Sequence, residues 1–439
     1  MVDSRHDAVR HGQAVVSALF GPPDARPFRV CYWDGTTDSA ATPDPAFALL
    51  VNRPGALRRM LLPPNELSVV EAYLSRDIDV EGSLEVAVML SDAISERIKS
   101  PRTITGVIRH LLSLPSDDGA ENVSLARSEH TVGHQGRRHE KARDRAAIQY
   151  HYDVGNDFYS LWLDERMVYS CAYFESPSDS LEDAQLAKLD HVCQKLRLQP
   201  GETLLDVGCG WGALIMRAAE CYGANALGIT LSQSQAALAR ERIAAAGLAD
   251  RCRVEILDYR EIPAGRTFDK IASVGMIEHV GVDHLPVYFD SLYRALAPGG
   301  LLLNHGIVNA TARERSLRER LARRLWKRDA FIDQYVFPDG KLGPLHAVIA
   351  AAEASGFETR DAESLREHYA LTLREWIRRL TANETAATAL TNERTYRTWR
   401  LYMSGSAHGF ATGRLNVVQT LLAKMDGGGR VGVGLRRVV

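Results

Sequence analysis

An aspartate followed by three glycines at alternate positions, Asp206-Val207-Gly208-Cys209-Gly210-Trp211-Gly212, is the stretch of this chain best suited to hold a small ligand. The apolar run Thr203–Val207 reads as a strand. The glycines behind it let the backbone turn tightly and let a ligand approach without Cβ obstruction. An open α/β sheet binds its ligand at that carboxyl end. A dinucleotide turn would read G-x-G-x-x-G, placing pyrophosphate on a helix N-terminus. Here the spacing is G-x-G-x-G, and Asp206 stands two residues before the first glycine. A carboxylate there repels pyrophosphate and suits a cationic ligand end, such as the ammonium and sulfonium region of S-adenosylmethionine. The next strand ends in Thr230-Leu231-Ser232-Gln233-Ser234-Gln235, with no acid, so ribose hydroxyls would meet neutral donors and acceptors. The third strand ends in Asp258-Tyr259-Arg260, which suits an adenine-amine contact but equally a helix cap or turn.

The elements that must position these residues alternate along the chain. Strands are expected at Thr203–Val207, Ala226–Thr230, Val254–Leu257, Lys270–Val274 and Leu301–Ile307. Helices are expected at 212–222, Gln233–Ala245 and His284–Leu296. Such alternation predicts a parallel, doubly wound α/β sheet. Upstream, residues 1–115 read as a small α+β domain. It has strands at Phe28–Trp33 and Ala46–Asn52 and helical spacing at Leu67–Leu74 and Leu84–Leu90. Residues 116–145 read as a charged linker, and its His130, His134 and His139 match no common metal motif.

Composition narrows the classes further. The chain has 439 residues, 25% of them charged, and a formal net charge of −2, which gives no global case for nucleic acid or a membrane surface. No apolar run reaches the ~20 residues needed to span a bilayer, and the first residues show no signal-peptide core. A cytoplasmic protein is therefore expected. The six cysteines, Cys31, Cys171, Cys193, Cys209, Cys221 and Cys252, form no paired spacing, so neither a disulfide framework nor a metal site is expected.

Several further motifs occur in order: residues 151–159 (HYDVGNDFY), 169–174 (YSCAYF), 181–190 (LEDAQLAKLD), 273–281 (SVGMIEHVG), 335–340 (YVFPDG) and 402–410. Together with the glycine turn they resemble the cyclopropane-fatty-acyl-phospholipid synthases and the mycolic acid cyclopropane synthases over roughly residues 145–425. The resemblance implies a Rossmann-like class I methyltransferase domain with helical additions over 146–439, and a lipid-handling role for the N-terminal domain. It implies transfer of a methyl group from S-adenosylmethionine to the cis double bond of an unsaturated phospholipid acyl chain. The resulting carbocation is deprotonated by bound bicarbonate to close a cyclopropane. Loss of a proton elsewhere leaves a methylene branch, and some relatives methylate small amines instead.

Carried over residue by residue, the bicarbonate cradle falls on Cys171, Glu278, His305, Ile307 (through its backbone) and Tyr402. The donor site falls on Tyr169, Ser170, Asp206, Gly208, Gly210, Trp211, Thr230, Ser232, Gln235, Asp258, Tyr259 and Arg260. Each has a plainer alternative. Cys171 can be a small buried hydrophobe, Glu278 a helix cap, His305 a satisfied core residue and Tyr402 a packing residue. The chain departs from some relatives in having no cysteine after Cys252, and a cation mechanism needs none. A basic amphipathic stretch, Arg313–Arg328 within an insertion at 310–330, has eight Lys or Arg among sixteen residues and suits an anionic membrane surface. The expected partners are thus the phospholipid and the inner membrane face, not nucleic acid. A second copy of the chain, and a separate reductase for a methylene product, complete the expectations.

Overall fold

The computed structural model describes residues 2–97, 101–116, 154–309, 330–336, 342–431 and 433. The chain forms two compact units: Met1–Thr131 with Glu314–Val336 and Asn392–His408, and Val132–Arg313 with Phe337–Thr391 and Gly409–Val439.

In the first unit, strands β1 (Arg29–Tyr32), β2 (Thr37–Asp38), β3 (Phe47–Val51) and β4 (Ile78–Gly82) lie in the order β2-β1-β3-β4, with β1 and β3 parallel. Helices α1 (Val2–Phe20), α2 (Ala56–Leu61), α3 (Glu66–Leu74), α4 (Leu84–Arg97) and α5 (Pro101–Ser113) accompany them. The α+β reading of the N-terminal segment thus corresponds to a four-stranded sheet with helices. Phe28 stacks on Phe47 at 4.9 Å between ring centroids, and Val15, Val16 and Leu19 of α1 are buried.

The compact units do not follow chain order, because Asn392–His408 groups with this unit. The cause is Arg397. Its guanidinium is almost wholly buried, donates to the Tyr73 carbonyl at 2.7 and 2.9 Å, pairs with Asp79 at 2.9 Å, and lies 4.0 Å over the Tyr73 ring. A buried charge so completely partnered holds its segment in place far more firmly than sequence proximity would.

The second unit carries a seven-stranded sheet in the order β10-β11-β9-β8-β5-β6-β7. Its strands are β5 (Thr203–Val207), β6 (Asn225–Thr230), β7 (Cys252–Ile256), β8 (Phe268–Val274), β9 (Leu296–Asn309), β10 (Glu358–Ser364) and β11 (Leu415–Ala423). β5 to β9 pair in parallel, while β10 and β11 are antiparallel additions. The helices are α6 (Leu181–Lys195), α7 (Ala213–Tyr222), α8 (Gln233–Ala245), α9 (Ile277–Val280), α10 (Leu285–Ala295), α11 (Leu345–Ala354) and α12 (Arg366–Ala382). The fold is Rossmann-like α/β, with an antiparallel addition at one edge.

Alternation along β9 assigns its two faces. Leu301 and Leu303 join one core with Val192 and Cys193 of α6 and Ile215 of α7. Leu302 and Val308 join the other, with Phe289 of α10 and Ala352 of α11. The expected basic insertion, nearly all of the expected linker and the motif residues His151–Asp153 lie outside the described residues.

Candidate active site

The strand β5 delivers Asp206 and the glycine turn to the sheet's carboxyl end. Gly208 has φ +80°, and a Cβ there would stand 2.5 Å from Met276 Sδ. The residues leading into α9 therefore rest directly on the turn. Gly210, at φ +53°, faces open space. Both positions need glycine, the first for close approach and the second to leave room.

A cavity opens above this turn. Its lining includes Tyr169, Ser170, Lys188, Asp206, Gly208, Gly210, Trp211 and Gln235. Seven of the twelve residues expected to hold the donor line it. Trp211 is anchored from behind, since its Nε1 donates to Asn156 Oδ1 at 2.8 Å and its ring lies 5.2 Å from Tyr159. Tyr169 continues the aromatic layer, 5.3 Å from Trp376.

The other five are not among its lining residues. Thr230 Oγ1 donates to Gln235 Oε1 at 3.0 Å and so orients a residue that does line the cavity. Ser232 caps α8, accepting from the Gln235 N–H at 3.3 Å. Asp258 caps the short 3₁₀ turn Tyr259–Glu261 and is paired twice with Arg260, at 2.8 and 2.6 Å. Asp258 thus acts as a cap and pairs with Arg260. Tyr259 packs edge-on against Tyr288 at 5.3 Å.

Charge in the cavity is concentrated on two buried groups. Burial pushes the Asp206 carboxyl up to about 7, against the pull of Lys188. Burial likewise brings the Lys188 ammonium down to about 8, opposed by Asp164, Cys171 and Asp206. Lys188 was not among the expected site residues. Its signal was a lysine four residues after Ala184 and four before Val192, on the inward stripe of α6.

The expected anion cradle is only partly assembled. Glu278 Oε1 accepts from the Ile307 N–H at 2.7 Å, so that amide is occupied by Glu278 itself. Glu278 Oε2 is buried with no hydrogen-bond partner, and burial raises this carboxyl to about 7. His305 projects to the other face of β9, toward α6. Burial, followed by Lys188, Lys195 and His191, pushes its imidazole down to about 3, so it is neutral at pH 7. Its Nδ1 lies 3.2 Å from Gln419 Nε2. A donating Gln419 amide makes Nδ1 an acceptor and leaves the ring proton on Nε2. Glu278 and His305 thus hydrogen-bond to different partners, Ile307 and Gln419.

Cys171 is fully buried. Its thiol points at the carbonyls of Ala172 (3.2 Å) and Leu365 (3.7 Å), and burial raises it far above the usual thiol range. The side chain is a packed, neutral thiol. Tyr402 belongs to the first unit, where it packs edge-on against Trp399 at 5.9 Å. Among the described residues no cluster could hold a metal ion.

This architecture has close counterparts. The sequence profile of the mycolic acid cyclopropane synthetase family matches residues 139–420. The chain belongs to that family. Residues 15–96 match a separate profile, a domain of unknown function (DUF7884). A probable fatty acid methyltransferase of Pseudomonas putida is 40% identical, over 91% of this chain and 92% of its own. One of Mycobacterium tuberculosis is 34% identical, over 97% and 98%. Among solved structures, the mycolic acid cyclopropane synthase CmaA1 complexed with SAH and CTAB aligns with a TM-score of 0.59 at 38% identity, covering 63% of this chain and 97% of that one. The chain is thus an S-adenosylmethionine-dependent methyltransferase of the cyclopropane synthase family.

Proposed function

We propose that this methyltransferase acts on the cis double bond of an unsaturated phospholipid acyl chain and forms a cyclopropane fatty acid with the aid of bound bicarbonate. Glu278 carries the reading. It is a buried acid, raised to about 7, with one oxygen held by a backbone N–H and the other without a partner. A catalyst that handles a carbocation must keep the site dry and leave one proton acceptor within reach. In its neutral form Glu278 can donate from Oε2 to an oxyanion, a task an ionised carboxylate could not perform. The neutral His305 can offer Nε2–H as a second donor, and Cys171 and Tyr402 complete the proposed set. Bicarbonate would supply an oxyanion able to take a proton at neutral pH. The ring of Tyr169 lines the cavity, and an aromatic face stabilises nearby positive charge by roughly 0.5–2 kcal/mol.

The substrate class is supported by relatives named as probable fatty acid methyltransferases that align over nearly the whole chain. A bilayer substrate requires contact with the inner membrane face. Among the described residues no helix is long and apolar enough to cross a membrane, so the contact would be peripheral. Arg313–Arg328, outside the described residues, remains one proposed surface. Helix α5 supports another: Ile104, Ile108 and Leu112 are exposed along one face beside exposed Arg102 and Arg109. That is the pattern of an interfacial helix facing anionic lipid. A homodimer and a downstream reductase for any methylene product remain part of the proposal.

The test is incubation with dioleoyl phospholipid vesicles and methyl-labelled donor in carbon dioxide-free buffer, then with bicarbonate restored. Label should enter the lipid fraction, and added bicarbonate should raise the rate at least tenfold. Label transfer unaffected by bicarbonate would remove the anion from the proposal. No transfer to lipid under either condition would remove the substrate.

A further inference from the structure

The lysine that the sequence did not single out lies in the lining of the cavity above the glycine turn, beside Ser170. Gln185 and Lys188 lie three residues apart on α6 and grip one short segment together. Gln185 Nε2 donates to the Ser170 carbonyl at 2.9 Å, and Lys188 Nζ donates to Ser170 Oγ at 3.0 Å. Lys188 is only 3% exposed and lines the cavity with Ser170 and Asp206. Among the residues lining that cavity it is the single cation and Asp206 the single anion. A methyl donor built on methionine ends in a zwitterion, and each of its charges needs a partner in a buried site.

An ammonium has three donors and no acceptor, so Ser170 Oγ must accept from Lys188. Its own O–H is then directed away from the lysine. We propose that Lys188 is a positioning residue of the donor site: it fixes the Ser170 hydroxyl as a hydrogen-bond donor to the carboxylate of S-adenosylmethionine and balances Asp206 opposite the ammonium. Lys188 acts through Ser170 and through charge and does not touch the reacting methyl group. Of the other titratable groups around it, buried Asp164 favours the charged ammonium, while Cys171, Cys193 and His305 are buried and neutral.

The experiment compares binding of S-adenosylhomocysteine, which carries the amino-acid end, with 5′-methylthioadenosine, which lacks it. Calorimetry is run on the full chain for the wild type, Lys188→Met, Ser170→Ala and the double variant. Lys188→Met should weaken S-adenosylhomocysteine at least tenfold and methylthioadenosine less than twofold. Ser170→Ala should show the same selectivity with a smaller loss. The double variant should be weaker than Lys188→Met by less than the loss that Ser170→Ala causes alone. Equal loss of both ligands, or fully additive losses, would overturn the proposal and leave Lys188 a structural residue. If Lys188→Met does not fold, Ser170→Ala decides alone, and indifference of its binding to the amino-acid end would be the contrary result.

Discussion

Glu278 is held in a state that costs stability. Its ordinary value is 4.5, and burial raises it to about 7. A folded-state value above the unfolded one favours the fold fully below pH 4.5, and that contribution disappears as pH rises through 7. At 1.36 kcal/mol per unit the difference is about 3 kcal/mol. Glu278→Gln cannot ionise, so between pH 4 and pH 8 its stability relative to the wild type should shift by about 3 kcal/mol in its favour. Denaturant titration at the two pH values measures this, and a pH-independent difference would show that Glu278 ionises freely. The same variant should bind donor normally and form little product, which is the cost of keeping a neutral acid in the site. The sequence made Asp206 and the glycines legible, because a turn at a strand's end has few solutions. Lys188 was hidden because helical spacing marks a position as inward without saying that a charge there is wanted. The pairing of Asp258 with Arg260 was hidden for a similar reason, since an adenine contact and a cap use the same residue type.

At the scale of elements, what the sequence revealed follows local order. β5 and α8 occupy the expected residues, and β6 to β9 begin or end within a few residues of expectation, with β9 starting five residues early. These strands are apolar runs with glycine or polar boundaries, so no tertiary knowledge is needed to see them. β10 carries Glu358, Arg360, Asp361 and Glu363 and is partly exposed along its length, which gives no apolar signal. It is a strand because β11 supplies its hydrogen bonds. In the N-terminal unit α5 follows both rules at once, with Val107 and Leu111 buried beside the exposed Ile104, Ile108 and Leu112. Replacing Ile108 and Leu112 with Glu removes two apolar side chains from the proposed lipid contact and adds two charges. The double variant should sediment with anionic vesicles at least fivefold less well while binding donor as the wild type does. Undiminished sedimentation would point the membrane contact elsewhere.

At the scale of the molecule, the division into two units cuts across chain order. Residues 392–408 join the N-terminal unit through Arg397, a connection between positions more than 300 residues apart that no local pattern announces. Tyr402 lies in this stretch, so the part proposed for it rests on family resemblance, whereas Glu278 and Asp206 stand on geometry within one unit. The direct measurement is NMR of the fatty acids released after turnover of oleoyl phospholipid with carbon-13 methyl donor, paired with their mass. The expected result is a gain of one carbon carrying the label, with upfield ring-methylene proton signals. Vinylidene signals at the same mass would change the product to a methylene branch. Label in the head group, with unmodified oleate, would contradict the account.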